Sequence, residues 1–145
     1  MIRDIDDDRV LERHLALIPV ISQYDVIFMQ EVVPETWDTI KEEMPNYLHF
    51  EGFESVFDQY FVTISIKKEF CAKIEQNQYI PFSGSMMGRG LLSVELTDKL
   101  DQKWTFMTSH LESTKVKAQT RNFVDGHRIQ ILIRDIEPAF SLKIL

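Results

Sequence analysis

The chain has 145 residues, 44% of them apolar and 27% charged, which sets a single globular domain as the default. One cysteine, Cys71, excludes a disulfide framework and points to a reducing compartment. A net charge of −7 argues, taken alone, against a nucleic-acid partner, which is held by Lys and Arg on phosphates.

In chain order, the start MIRDIDDD is too acidic for a signal or transit peptide. Residues 8–22 place Leu11, Leu15 and Ile18 at helical spacing behind acids that suit a helix N-terminus, and Pro19 is expected to kink that helix or cut it short. DVIFMQE (25–31) is apolar on both alternating faces, Val26 and Phe28 on one and Ile27 and Met29 on the other, as in an interior strand covered on both sides. Pro34 opens a short surface helix, PETWDTIKEEM, which Pro45 and Asn46 end. From Tyr47 to His110 the pattern is one of strands. YFVTISI (60–66) sets Tyr60, Val62, Ile64 and Ile66 against Thr63 and Ser65. LLSVEL (91–96) and WTFMTSH (104–110) read as an antiparallel hairpin with a long loop, TDKLDQK. Ile129, Leu132, Ile133 and Ile136 mark an amphipathic helix that Pro138 ends. No run approaches the roughly 18 apolar residues of a membrane span. This order describes an α/β sandwich with a mixed sheet.

Charge is uneven. Asp4, Asp6, Asp7 and Asp8 crowd the N-terminus, and Glu35, Asp38, Glu42 and Glu43 follow on another segment. Residues 114–128 carry Lys115, Lys117, Arg121 and Arg128 against Asp125, which makes either a local basic patch or a solvated helix face.

Three places could carry chemistry. Glu31 ends a buried strand, where ligands bind in α/β folds. It offers a carboxylate to a hard cation, or it begins an exposed loop. His110 ends another strand beside Ser109, Glu112 and Ser113. It is either a phosphate-holding imidazole or a satisfied histidine at the core edge. Arg89 stands between Gly88 and Gly90, which allow positive φ and close backbone approach. It makes an anion contact, or it is a solvated residue of a turn or bulge. Tyr60 reads first as packing. CxxC, HExxH, P-loop and GxSxG patterns do not occur.

Four segments in order, DVIFMQEVVP, YFVTISIKK, IPFSGSMMGRGLLSVEL and MTSHLESTK, resemble the endonuclease/exonuclease/phosphatase superfamily, which has the DNase-I-like fold. Within it they are most similar to the 5′-tyrosyl-DNA phosphodiesterases, over about residues 10–125. The strand-QE motif is shared widely in the superfamily, whereas SHLEST behind MMGRGLL is particular to this branch. The resemblance implies the N-terminal portion of a four-layer α/β sandwich, with mixed, mostly antiparallel sheets flanked by helices. It implies a Mg²⁺-dependent hydrolase, with Mn²⁺ the alternative ion, that removes tyrosyl adducts from DNA 5′ ends in repair, in the nucleus or nucleocytoplasm. Glu31 then resembles the metal-binding glutamate. His110, grouped with Glu31 as catalytic, resembles a phosphate-holding group, as do Arg89 and Ser113. Tyr60 resembles a residue of the DNA-end groove. Arg121 resembles the arginine of the following helix, with Arg128 in GHRIQIL as the alternative register.

The family pattern also has a Trp-Asn pair, a Gly-Asp-x-Asn strand end and a closing Ser-Asp-His, and none of these strings occurs here. The expectation is an incomplete domain over 1–145, with low or no activity by itself. Loss of later strands would expose the apolar faces of 25–29 and 60–66 and lower solubility. The alternatives are a non-catalytic module that grips DNA ends, or a superfamily relative acting on another phosphoester.

Overall fold

A computed structural model describes residues 7–53, 60–83, 85, 88–110 and 142–144. The elements run α1 (Asp7–Ile21), β1 (Val26–Val32), α2 (Pro34–Glu43), β2 (Tyr47–Gly52), β3 (Phe61–Lys67), β4 (Cys71–Pro81), β5 (Gly90–Asp98), β6 (Lys103–Ser109) and β7 (Leu142–Ile144). They form two sheets, ordered β2-β3-β1-β7 and β4-β5-β6. The first is mixed, because β7 lies parallel to β1 while the other pairs are antiparallel. The second is antiparallel throughout. The predicted helix around Ile129–Ile136 lies outside the described residues, as do Ser113, Arg121 and Arg128.

The alternation in β1 divides its side chains between two cores. Val26 and Phe28 join Val62, Ile64 and Ile66 of β3 and Leu92, Val94 and Leu96 of β5 between the sheets. Phe28 meets Phe106 of β6 edge to face, with centroids 6.2 Å apart. Ile27 and Met29 turn the other way, onto Trp37 and Ile40 of α2, Met44 just after it, and Ile21 of α1. Helices, first sheet and second sheet thus form three described layers. Each fully buried aliphatic side chain here contributes roughly 1.5–3 kcal/mol.

Several expectations need correction. The faces of 25–29 and 60–66 are not left bare. Residues 26–29 and 61–66 are all buried, because α1, α2 and the second sheet already cover them. Pro19 does not cut α1 short. The helix runs two residues past it, and Ser22 N–H still reaches the Ile18 carbonyl at 2.9 Å. Of the face expected for α1, Ile18 packs inward but Leu15 is 38% exposed. The β5–β6 loop is four residues rather than seven, since Thr97, Asp98 and Lys103 extend the strands.

Asp98 makes that short loop possible. Only 3% exposed, it accepts Leu100 N–H (2.8 Å) and Gln102 N–H (2.9 Å) on Oδ1 and the Trp104 indole N–H (2.8 Å) on Oδ2. Asp101 completes the turn with φ 62, a conformation Asp tolerates better than most residues. Burial alone would raise the Asp98 pKa, but the three N–H donors together outweigh it and hold the carboxyl below its usual 3.8. At the other end of the first sheet, His49 Nε2 donates to the Met44 carbonyl (3.0 Å) and Nδ1 accepts from Ser65 Oγ (2.9 Å). That pair of bonds fixes a neutral tautomer. Burial is the leading cause holding the His49 pKa below 6.5.

Asp98→Asn is expected to cost about 1–3 kcal/mol in urea denaturation at neutral pH, because it unpairs buried donors. Asp98 stabilises at neutral pH and loses that contribution as pH falls through its lowered folded pKa, so the mutant should lose less stability than wild type under acid. His49 acts in a higher range. Its stabilising neutral form is complete above 6.5 and is lost as pH drops through the depressed folded value. Thermal melts from pH 7.5 downward should therefore show a decline that His49→Gln flattens.

Candidate active site

Pairing between β1 and β3 matches Met29 with Thr63 and Val32 with Phe61, so Gln30 and Glu31 stand opposite Val62 alone. That is a β-bulge, one extra residue in β1. Its effect on direction is visible in Val32. By simple alternation Val32 would share the face of Val26 and Phe28, yet it joins Ile27 and Met29 in the helix-side core. Glu31 absorbs the irregularity with φ 55. A left-handed backbone costs a non-glycine residue roughly 1–2 kcal/mol, a strain that clusters at functional sites. The result is a carboxylate 69% exposed at the end of an otherwise buried strand.

His110 follows β6 directly. Trp104 and Phe106 on the same face pack into the core between the sheets, which aims the histidine toward the end of β1. Its Nε2 lies 3.7 Å from Glu31 Oε1, and its buried Nδ1 has no partner among the described residues. Burial and then the Arg89 charge hold the His110 pKa below 6.5, against an opposing pull from Glu31. Gln30 Nε2 donates to the Ser109 carbonyl at 2.9 Å and ties the bulge of β1 to the end of β6.

Arg89 precedes β5, and it is buried, 5% exposed, rather than a solvated turn residue. The two glycines act differently. Gly88 takes φ 61, and its carbonyl accepts Tyr79 Oη–H at 2.8 Å. At Gly90 a Cβ would stand 2.5 Å from Tyr79 Cζ and 2.6 Å from the Ile80 carbonyl, so the backbone approaches where no side chain fits. Arg89 N–H donates to Ser85 Oγ (2.8 Å), and Phe82 N–H donates to the Arg89 carbonyl (2.8 Å). The guanidinium sits over the Tyr60 ring, 5.2 Å from its centroid, and its buried Nε has no partner among the described residues. Tyr60, 37% exposed, thus stands beside Arg89 rather than in either hydrophobic core.

Four of the expected residues, Glu31, Tyr60, Arg89 and His110, come together from both sheets. Ser113 and Arg121 lie outside the described residues. Gln30 figures in the sequence only as part of the QE motif and Ser85 only within SGSMMGRGLL, neither with a role of its own. Gln30 bonds the backbone of a segment 79 residues away and Ser85 Oγ accepts the Arg89 N–H within its own loop, contacts that leave no trace in local pattern. A cavity of about 430 Å³ at the other end of β1 is lined by residues including Tyr47, Lys67 and Lys68, and it contains none of the site residues. Its lysines are already engaged, Lys67 with Asp25 (3.5 Å) and Lys68 with the Pro45 carbonyl (2.6 Å).

Glu31 is the group that could hold a metal. Among the described residues no three His, Cys, Asp or Glu side chains gather to form a protein cage. An exposed carboxylate suits a hard cation such as Mg²⁺, which takes one or two carboxylates and fills its shell with water and phosphate oxygens. Cys71 offers no alternative chemistry, because burial pushes its pKa up.

No family model matches the chain. Individual proteins do. Tyrosyl-DNA phosphodiesterase 2 of Bos taurus is 34% identical over 119 residues, 81% of this chain and 31% of the bovine protein. The crystal structure of Danio rerio tyrosyl-DNA phosphodiesterase 2 complexed with a single-strand DNA product superposes with a TM-score of 0.70 at 31% identity, covering 86% of this chain and 48% of that one. An endonuclease/exonuclease/phosphatase of Bacteroides vulgatus, at 12% identity and a TM-score of 0.61, covers 81% of this chain and 50% of its own and shares the fold. The chain spans about a third of the length of the curated relatives. Sequence and two-sheet architecture agree: over most of its length the chain is similar to part of the tyrosyl-DNA phosphodiesterase 2 proteins.

Proposed function

We propose that this chain carries the phosphate-gripping half of a divalent-metal-dependent phosphodiesterase site that removes tyrosyl adducts from DNA 5′ ends in repair, which implies a nuclear or nucleocytoplasmic setting. One observation carries the reading. A buried arginine whose Nε has no partner among the described residues, and a half-buried histidine whose Nδ1 has none among them either, face the same end of β1 as an exposed glutamate. A guanidinium N–H out of water without an acceptor is costly, and an anionic ligand removes that cost.

In the mechanism, Arg89 holds a phosphoryl oxygen and Tyr60 fixes the plane of the guanidinium from below. His110, kept largely neutral, donates one N–H to a second oxygen. Burial and then the Arg89 charge depress its pKa, so a phosphate arriving beside the guanidinium would raise it and strengthen that bond. Glu31 is the residue that would hold Mg²⁺ or Mn²⁺, which when bound would neutralise charge on the phosphoryl oxygens. The bulge sets the carboxylate outside the buried strand, where solvent and substrate reach it.

The reading predicts that a single strand with a 5′-phosphate binds about tenfold more tightly than the same strand with a 5′-hydroxyl. Arg89→Lys should remove most of that preference, since lysine cannot present the planar fork. Fluorescence anisotropy at fixed salt measures both, and equal affinity for the two ends in wild type would contradict the reading. Turnover of a 5′-phosphotyrosyl oligonucleotide with Mg²⁺ separates an enzyme from a non-catalytic grip on DNA ends. Where turnover is seen, Glu31→Gln should reduce it by about 10²–10³-fold. Glu31→Gly separates strain from chemistry. It should raise the melting temperature relative to Glu31→Ala by relaxing the φ 55 backbone, while leaving turnover as low.

A further inference from the structure

We propose that Gln30 is a positioning residue, whose side-chain amide locks the bulge of β1 to the end of β6 and thereby sets the spacing at which Glu31 and His110 meet a 5′ phosphate. This rests on the phosphate-end reading above. Gln30 and Ser109 are 79 residues apart and belong to different sheets, yet the amide donates to the Ser109 carbonyl at 2.9 Å. The next residue on each side is a site residue. Glu31 follows Gln30, His110 follows Ser109, and their side chains stand 3.7 Å apart. Two neighbours on one strand thus meet two neighbours on another, one contact holding and one exposed to the ligand.

The need for such a hold comes from the backbone. Glu31 occupies a left-handed conformation that glutamate disfavours, so a bulge free of restraint would relax toward negative φ and swing the carboxylate away. The bulge register against β3 restrains one side. The Gln30 amide restrains the other, from the sheet that carries His110 and Arg89. Gln30 is solvent-exposed and contributes nothing to either hydrophobic core, so its conservative removal should leave the fold in place.

Gln30→Met keeps the length of the side chain and removes the donor; Gln30→Leu removes it with a different shape. The test compares wild type and both variants for binding 5′-phosphorylated and 5′-hydroxyl versions of one single-stranded oligonucleotide, together with thermal melts. The expected result is that both variants lose about fivefold or more of the phosphate preference with melting temperatures within about 3 °C of wild type. Full retention of the preference by either variant overturns the positioning role. So does an equal loss of affinity for both strands with a large drop in melting temperature, which would mark Gln30 as structural only. If wild type itself shows no preference, the phosphate-end reading has failed, and the inference falls with it.

Discussion

One extra residue in β1 governs this molecule's site. Without it, Glu31 would continue the alternation of Ile27 and Met29 and point into the core beneath the helices, where an unpaired carboxylate is intolerable. With it, Val32 takes that inward place and Glu31 is turned out at φ 55. The core on both faces of β1 holds the strand firmly enough to sustain the strained backbone. The inward Val32 and the exposed carboxylate beside it are therefore two consequences of the same irregularity.

The second sheet supplies the positive side of the site by a comparable device. Gly90 lets the backbone pass against Tyr79, Gly88 adopts a positive φ, and Ser85 and Phe82 fix the Arg89 backbone. The guanidinium is placed before any ligand arrives, with Tyr60 of the first sheet's margin under it. Such preorganisation reduces the ordering cost of binding. His110 feels both charges: burial first and Arg89 second hold its pKa below the usual value, and Glu31 pulls it the other way.

Much of this was legible in the residues. The double-sided apolar run of 26–29 announced an interior strand, and its faces fell as alternation said. The glycines around Arg89 signalled close approach, though pattern alone left open whether the arginine was buried. What could not be read had physical reasons. β4 is largely polar and exposed along its length, so no hydrophobic alternation marks it as a strand. The helix face of α1 was misjudged at Leu15 because 15–21 is apolar nearly all round and offers no polar side to orient it. The turn at Asp98 is shortened by three side-chain hydrogen bonds that no local pattern displays. The bulge itself is invisible to periodicity, because QE could equally end a strand or interrupt it.

The most direct test is a crystal structure of the chain with a short 5′-phosphorylated single strand. The account predicts the terminal phosphate against Arg89 and His110, beside the Glu31 bulge. A phosphate bound instead at the lysine-lined cavity at the opposite end of β1, with the arginine and histidine untouched, would contradict it.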